Sequence, residues 1–271
     1  MSGVLVLSDA DVRELLDMGS CIAAMEDALA ALARDELTMP LRFVVRSPGE
    51  QLMGLMPAHR AGDEPLFSLK EIVIAPSNGA RGLDPHQGTV ILHDGETGVL
   101  RAILNASPIT EIRTAAVSAV ATKLLARPGF RRVAILGSGV QARSHAAAMR
   151  AIVRRAWLAP GTHVNAVGSS VPWARELDSD VVAGAGLFVD RRESTLNESG
   201  DYLAAVEEAD IGPDHIRAEL GELLVGSHPG RRDPDELTVF KSLGLAVEDL
   251  AAAALCVERA RERGLGTEVE F

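Results

Sequence analysis

Arg131–His145, RRVAILGSGVQARSH, is the stretch on which the fold turns. Val133 to Leu136 is a short apolar run of branched residues. It leads into Gly137-Ser138-Gly139, and from Val140 the pattern becomes helical. Strand, glycine turn and helix form the setting in which a dinucleotide fingerprint works. Gly137 permits the tight turn and Gly139 lets a pyrophosphate approach the backbone. Ala142 holds the third position, where a small residue lets helix and strand pack. The helix start at Val140 and Gln141 would then turn free N–H groups and a positive dipole end toward phosphate. A plain glycine turn between a strand and a helix has the same look, so the surrounding chain has to decide.

The 271 residues have room for two modest domains or one large one. Hydrophobic residues make up 47% and aromatics only 3%, so the core is expected to be aliphatic. Lys and Arg number 27 against 38 Asp and Glu, and the net charge of −11 argues against nucleic-acid binding. The charge is uneven: Ile112 to Arg175 holds ten Arg and Lys and no acid. A local anion site would explain that, and so would a run of solvated basic residues. Cys21 and Cys256 lie far apart and fit a reduced, cytoplasmic chain. No signal peptide, membrane-spanning run or metal site is expected.

Taken in order, Val4 to Leu7 reads as a strand and Ser8 as the cap of a helix with Asp9 and Asp11 in its first turn. Gly19-Ser20 is expected to break it. A second helix follows to about Arg34, with Cys21, Met25, Leu29 and Leu32 along one side. Leu41–Arg46, Gln51–Met56, Leu66–Ile74, Thr89–Leu92 and Val99–Leu104 read as strands of a mostly antiparallel sheet. A long helix is expected from Thr110 to about Leu125, ended by Pro128-Gly129. Beyond the glycine turn the pattern predicts strands at Val133–Leu136, His163–Val167, Leu187–Asp190 and Leu237–Phe240. Helices are expected at Glu176–Val182, His215–Leu224 and Ala246–Arg263. A complete dinucleotide domain also needs a second strand and an acidic residue about 20 residues past the motif for the ribose. Leu158 to Asn165 has no carboxylate, and there is no room for the strand.

Several separate stretches resemble the ornithine cyclodeaminase/mu-crystallin family: GSGVQARSH, ITEIRTAAVSAVATKLL, APGTHVNAVGSSVPWARELD, AELGELLVG and TVFKSLGLAVEDLAAA. LMGLMPA, DPHQGTVIL and FKSLGLAVED look closest to its mu-crystallin, ketimine-reductase branch. The resemblance implies a two-domain α/β fold. A mixed-sheet substrate and dimerisation domain would take residues 1–127 with 241–271. A truncated Rossmann-like cofactor domain would take 128–240. Against the family pattern, two strand–helix units, about 60 residues, are missing between Met149 and Trp157.

Lys70 stands in an otherwise apolar strand, FSLKEIVIA. It is either snorkelling at a sheet edge or facing a ligand. Arg42 reads equally well as an exposed edge-strand residue. Arg113, taken as lying in the first turn of its helix, calls for an anion because a cation is unfavourable there. Substrate, phosphate or a salt bridge to Glu111 or a distant acid would each serve. His86 could be a core or surface histidine, and Ser242 an N-cap. The resemblance implies that Arg42 and Lys70 bind the substrate carboxylate and that Arg113 meets both substrate and cofactor, with Lys70 and Arg113 catalytic. It also implies that His86, Gly137, Gly139, Val140, Gln141, Val167 and Ser242 lie at the cofactor. Ser170 stands where ornithine cyclodeaminases carry a catalytic aspartate, and a serine cannot do that acid–base work near neutral pH.

These residues lead to an NAD(P)H-dependent oxidoreductase, a homodimer, that reduces small cyclic imino acids of the pyrroline- or piperideine-2-carboxylate type. The alternatives are a cyclodeaminase or amino-acid dehydrogenase of the same family, and a non-catalytic binding or structural protein. Lys70 and Arg42, as ligand-facing charges, are expected to be replaceable with a change in melting temperature of only a few degrees.

Overall fold

The computed structural model describes residues 3–129, 133–135, 139–145 and 161–270. They form two compact units, Met1–Arg113 with Ala246–Phe271, and Thr114–Leu245.

The first unit opens with β1 (Val4–Leu7) and α1 (Asp9–Leu15). Ser8 caps α1 in a reciprocal box. Its hydroxyl accepts the Asp11 N–H at 3.3 Å, and the Asp11 carboxylate accepts the Ser8 N–H at 2.9 Å. The expected break at Gly19-Ser20 is displaced, because both residues lie in the first turn of α2 (Met18–Ala33). Asp17 accepts the Ser20 N–H at 3.0 Å and so caps the helix before the glycine is reached. Cys21, Met25, Leu29 and Leu32 are all buried, as their spacing requires.

The sheet of this unit contains β2 (Leu37–Thr38), β3 (Phe43–Arg46), β4 (Leu52–Arg60), β5 (Leu66–Ile74), β6 (His86–Asp94) and β7 (Leu100–Asn105). Its order is β12-β1-β7-β6-β5-β4-β2, with β3 on β4; β12 (Thr267–Val269) is a short strand with no counterpart in the sequence reading. All pairs are antiparallel except β1–β7. Along β5 the buried residues are Leu66, Ser68, Lys70 and Ile72, the period of two that puts one face of a strand against a core.

α3 spans Ala106–Leu125 and starts four residues before the expected Thr110. Pro108 lies in the first turn, where proline is tolerated, and Asn105 Oδ1 takes the Ser107 N–H at 3.0 Å. Arg113 is therefore inside the helix and not in its first turn. The dipole argument for an anion beside it falls away.

In the second unit residues 140–145 form helix α4. Residues 133–135 belong to no strand, contrary to expectation, and Val133 and Ile135 are exposed. The rest of the expected strand, Leu136, and the turn residues Gly137 and Ser138 lie outside the described residues. β8 (His163–Ala166), α5 (Ser179–Gly184), β9 (Gly186–Val189), α6 (Arg192–Glu198), α7 (Gly200–Ala209), β10 (Ile216–Glu219), α8 (Leu220–Leu224) and β11 (Thr238–Lys241) follow. The strands form a parallel sheet in the order β10-β9-β11-β8. Every residue of β9 and β11 is buried, as befits parallel strands covered on both faces. The expected helix His215–Leu224 is instead a strand and a short helix. Ile216 and Ala218 alternate inward over only four residues, too short a period-two run to separate from the helical spacing that follows. The chain re-enters the first unit through α9 (Ala246–Arg263).

Candidate functional site

The first unit buries four charged side chains together. Lys70 comes from the centre of β5, Arg113 from α3, and Glu248 and Asp249 from the first turn of α9. Exposure is 2% for Lys70, 4% for Arg113 and 0% for both acids. Lys70 Nζ donates to Asp249 Oδ1 at 3.1 Å and Oδ2 at 3.2 Å. Arg113 Nε donates to the same Oδ1 at 3.0 Å, and its NH1 group to Glu248 Oε2 at 2.6 Å. One carboxylate oxygen thus serves two cations. Burial pushes the Lys70 ammonium down to about 8; Asp249 works against that, while Arg113 and Arg42 reinforce it. Lys70 remains mostly charged at neutral pH but is a stronger acid than an ordinary lysine.

Arg42 is half-buried just ahead of β3. His86 is exposed at the start of β6; its N–H donates to Asp84 Oδ1 at 2.9 Å and its carbonyl accepts the Ser107 hydroxyl at 2.7 Å. Lys70, Arg113, Arg42 and His86 therefore belong to one unit, and the first two share a partner. Of the partners considered for Arg113, acids distant in sequence are present, Glu248 and Asp249. Glu111 pairs with Arg13 at 2.9 Å.

In the second unit Gly139 is exposed, and a Cβ placed on it would meet nothing within 4 Å. α4 starts directly after it with Val140 and Gln141. His145 ties this helix down: Nδ1 lies 2.8 Å from the Gln141 carbonyl and Nε2 2.8 Å from Ser118 Oγ. Burial lowers the His145 pKa, which favours the neutral ring. Val167 is half-buried at the end of β8, and Ser170 is half-buried shortly after it. Ser242 is not an N-cap, since α9 begins at Ala246. It is buried and donates to Asp190 Oδ2 at 3.2 Å. The same oxygen accepts the N–H groups of Leu243 and Gly244 at 2.6 and 2.8 Å. Gly244, at φ 78, turns the chain there, a conformation that favours glycine. Some of the basic run Ile112–Arg175 is accounted for by acids from elsewhere: Arg127 pairs with Asp235 at 3.3 Å and Arg175 with Glu208 at 2.9 Å.

The family model for the ornithine cyclodeaminase/mu-crystallin family matches residues 3–155 and 150–264. The chain belongs to this family. It is 32% identical to a Delta(1)-pyrroline-2-carboxylate reductase of Bacillus cereus over 326 aligned positions, covering 99% of this chain and 100% of the relative. It is 35% identical to the ketimine reductase mu-crystallin of Mus musculus over 307 positions, 92% of this chain and 95% of that one. Among solved structures, the Thermococcus litoralis Delta(1)-pyrroline-2-carboxylate reductase in complex with NADH and L-proline superposes with a TM-score of 0.92 at 31% identity, covering 98% of this chain and 100% of that chain. An archaeal alanine dehydrogenase dimer with bound NAD gives 0.91 at 25% identity, covering 99% of each. The excess of 326 aligned positions over 271 residues leaves at least 55 positions facing a gap in this chain. The two family matches meet at 150–155, where the missing strand–helix units were expected.

Sequence reasoning missed Glu248, Asp249 and Asp190. The signals were available. Two adjacent acids opened an otherwise Ala-rich helix, and one acid closed a buried parallel strand, the end at which α/β sheets carry their sites.

Proposed function

We propose that the chain is an NAD(P)H-dependent reductase of small cyclic imino acids of the pyrroline- or piperideine-2-carboxylate type, working in the cytoplasm. The carrying observation is the buried Lys70–Arg113 pair on one carboxylate, in a chain similar over 92–99% of its length to relatives named as reductases of such imines. The first unit serves as the substrate and dimerisation domain, and the second as the cofactor domain. Arg42, Lys70 and Arg113 take the substrate carboxylate, for which a guanidinium fork is well suited. Within the second unit, Gly137, Gly139, Val140, Gln141, Val167 and Ser242 take the cofactor. When bound, NAD(P)H would supply a hydride to the carbon of an imine bound in its protonated form, whose nitrogen already carries the proton the amine product needs. The charged Lys70 and Arg113 orient the substrate by its carboxylate and favour its anionic form.

The residues present fit the pyrophosphate half of the cofactor: Gly139 has open space beside its Cα, and α4 starts directly after it. The adenosine half is poorly provided. Leu158–Asn165 holds no acid for the ribose, and the gap removes neighbouring units. Cofactor binding should therefore be weak or absent, with affinity at least roughly ten- to a hundredfold below that of a complete domain. Ser170 in place of an aspartate argues against cyclodeamination. The exposed Phe43, Val45 and Phe67 on the first unit's sheet favour a homodimer through that unit, with light scattering as the check.

The test is NADH and NADPH oxidation with pyrroline-2-carboxylate and with buffer alone, beside calorimetric titration of both cofactors. Turnover above buffer supports the reductase. Its absence at saturating cofactor leaves a non-catalytic binding protein, the reading that the shortened cofactor domain favours. Low-micromolar cofactor affinity would overturn the predicted weakness.

A further inference from the structure

Two buried positive charges on one carboxylate oxygen repel each other strongly when water is excluded. The groups facing Lys70 are Asp249 and Glu248 from α9, Arg113 from α3, Arg42 ahead of β3 and His86 at the start of β6. Glu248 bonds Arg113, whereas Asp249 contacts both Lys70 and Arg113. Among the described residues nothing else accepts a hydrogen bond from Lys70 Nζ. An ammonium carries three donors, so Asp249 leaves Lys70 with N–H capacity to offer elsewhere.

We propose that Asp249 is a positioning residue: its carboxylate ties Lys70 and Arg113 into one cationic pair, keeping both charged and held so that they receive a substrate carboxylate together. Arginine stays charged in any protein setting, whereas lysine gives up its proton when burial and like charges press on it. Removing Asp249 therefore neutralises Lys70, leaves Arg113 with Glu248, and dissolves the pair as an anion receptor. The identity of the received carboxylate rests on the reductase reading; the tie itself does not.

The chain contains only three lysines, Lys70, Lys123 and Lys241, so each can be followed in protein labelled with carbon-13 lysine, with Lys70→Met assigning the signal. In the wild type the Lys70 Cε signal should titrate near 8. In Asp249→Asn its midpoint should fall. Affinity for L-proline, a stable cyclic amino acid carrying the same carboxylate, should drop roughly ten- to a hundredfold at neutral pH. The alkaline limb of kcat/KM for pyrroline-2-carboxylate should move to lower pH in step with the Lys70 midpoint, with the loss mostly in KM. Should Asp249→Asn fail to fold, Asp249→Glu keeps the charge and alters only reach; it should hold the Lys70 midpoint near that of the wild type while weakening L-proline. A Lys70 midpoint unmoved in Asp249→Asn, or L-proline affinity unchanged despite a neutral Lys70, would overturn the proposal. No turnover in the wild type, with the Lys70 and L-proline responses as described, would sink the reductase reading and leave the role of Asp249 standing.

Discussion

Replacing Lys70 by Met removes one charge from a site almost wholly out of water. Met is close to the lysine stem in length and adapts to its surroundings, so charge balance dominates the outcome. The wild type sets Lys70 and Arg113 against Glu248 and Asp249. The variant leaves Arg113 bonded to both carboxylates, and Asp249 Oδ2 loses the donor 3.2 Å away. Breaking a buried pair by removing one partner costs about 3–5 kcal/mol, and because Arg113 still bonds Oδ1, about 3 kcal/mol is the appropriate end. At about 2–4 °C per kcal/mol for a chain of this size, melting should fall by about 6–12 °C. The sign with pH follows. The surplus carboxylate sits where the neutral form is favoured, so its pKa in the folded variant lies above its unfolded value. The folded variant then holds a proton that the unfolded chain lacks, and its stability recovers as pH falls through that raised value. Scanning calorimetry of wild type and variant from mildly alkaline to mildly acidic buffer should show the deficit shrinking. Lys70→Met with Asp249→Asn restores one cation to one acid and should recover most of the loss. A neutral-pH melting point within about 2 °C of the wild type, or a deficit that grows on acidification, would refute this reasoning. Read from sequence alone, Lys70 promised the opposite: a ligand-facing charge with little effect on melting.

His163 on β8 is held near neutrality by burial, which pushes its pKa down to about 4; Nδ1 lies 3.0 Å from Thr238 Oγ1 and Nε2 3.2 Å from Asn165 Oδ1. The unfolded chain takes up this proton near 6.5 and the folded chain does not, so the second unit should lose stability as pH falls from 6.5 toward 4, by no more than about 3 kcal/mol; His163→Gln should flatten that slope in calorimetric scans. Asp17 caps α2 and also pairs with Arg259 at 2.8 Å. Its Ser20 N–H bond, aided by Arg259, lowers its pKa from 3.8 to about 2, so its support is present above 3.8 and lost as pH falls through about 2. Asp17→Ala should cost about 1 kcal/mol at neutral pH, and an unchanged denaturation midpoint would show the cap to be idle.

Much of the first unit was legible because its signals are local. The α2 stripe at Cys21, Met25, Leu29 and Leu32, the Ser8 cap and the bounds of β5 each follow from periodicity or capping within a few residues. One boundary error came where one local signal hid another: Gly19 drew attention from the cap at Asp17, while the start of α3 at Ala106 lay four residues ahead of the expected Thr110. In the second unit the four-residue strand at Ile216 merged with the helix behind it. The partners of Lys70 and Arg113 were illegible for a different reason. Asp249 lies 179 residues from Lys70 and 136 from Arg113, and no spacing rule connects residues that only the fold brings together. Lys70 itself could be singled out as an anomaly, since a charge in an apolar strand needs an explanation wherever it points. Its explanation, an acid on a distant helix, needed coordinates.

The gap and the ion cluster fall in different parts of the chain, and that separates two functions usually measured together. Lys70, Arg113, Glu248 and Asp249 all belong to the first unit, whereas the family matches meet at 150–155, inside Thr114–Leu245. The residues that would hold the substrate carboxylate therefore draw none of their mutual hydrogen bonds from the shortened unit. A weakened cofactor domain should lower affinity for NADH and NADPH while leaving the cationic pair formed. If so, L-proline should still protect the Lys70 ammonium against alkaline titration in the absence of any cofactor, raising its midpoint, because a bound carboxylate favours the charged lysine. Loss of that response together with cofactor affinity would mean that the pair depends on the second unit after all, and that the missing segment damages both halves of the reaction.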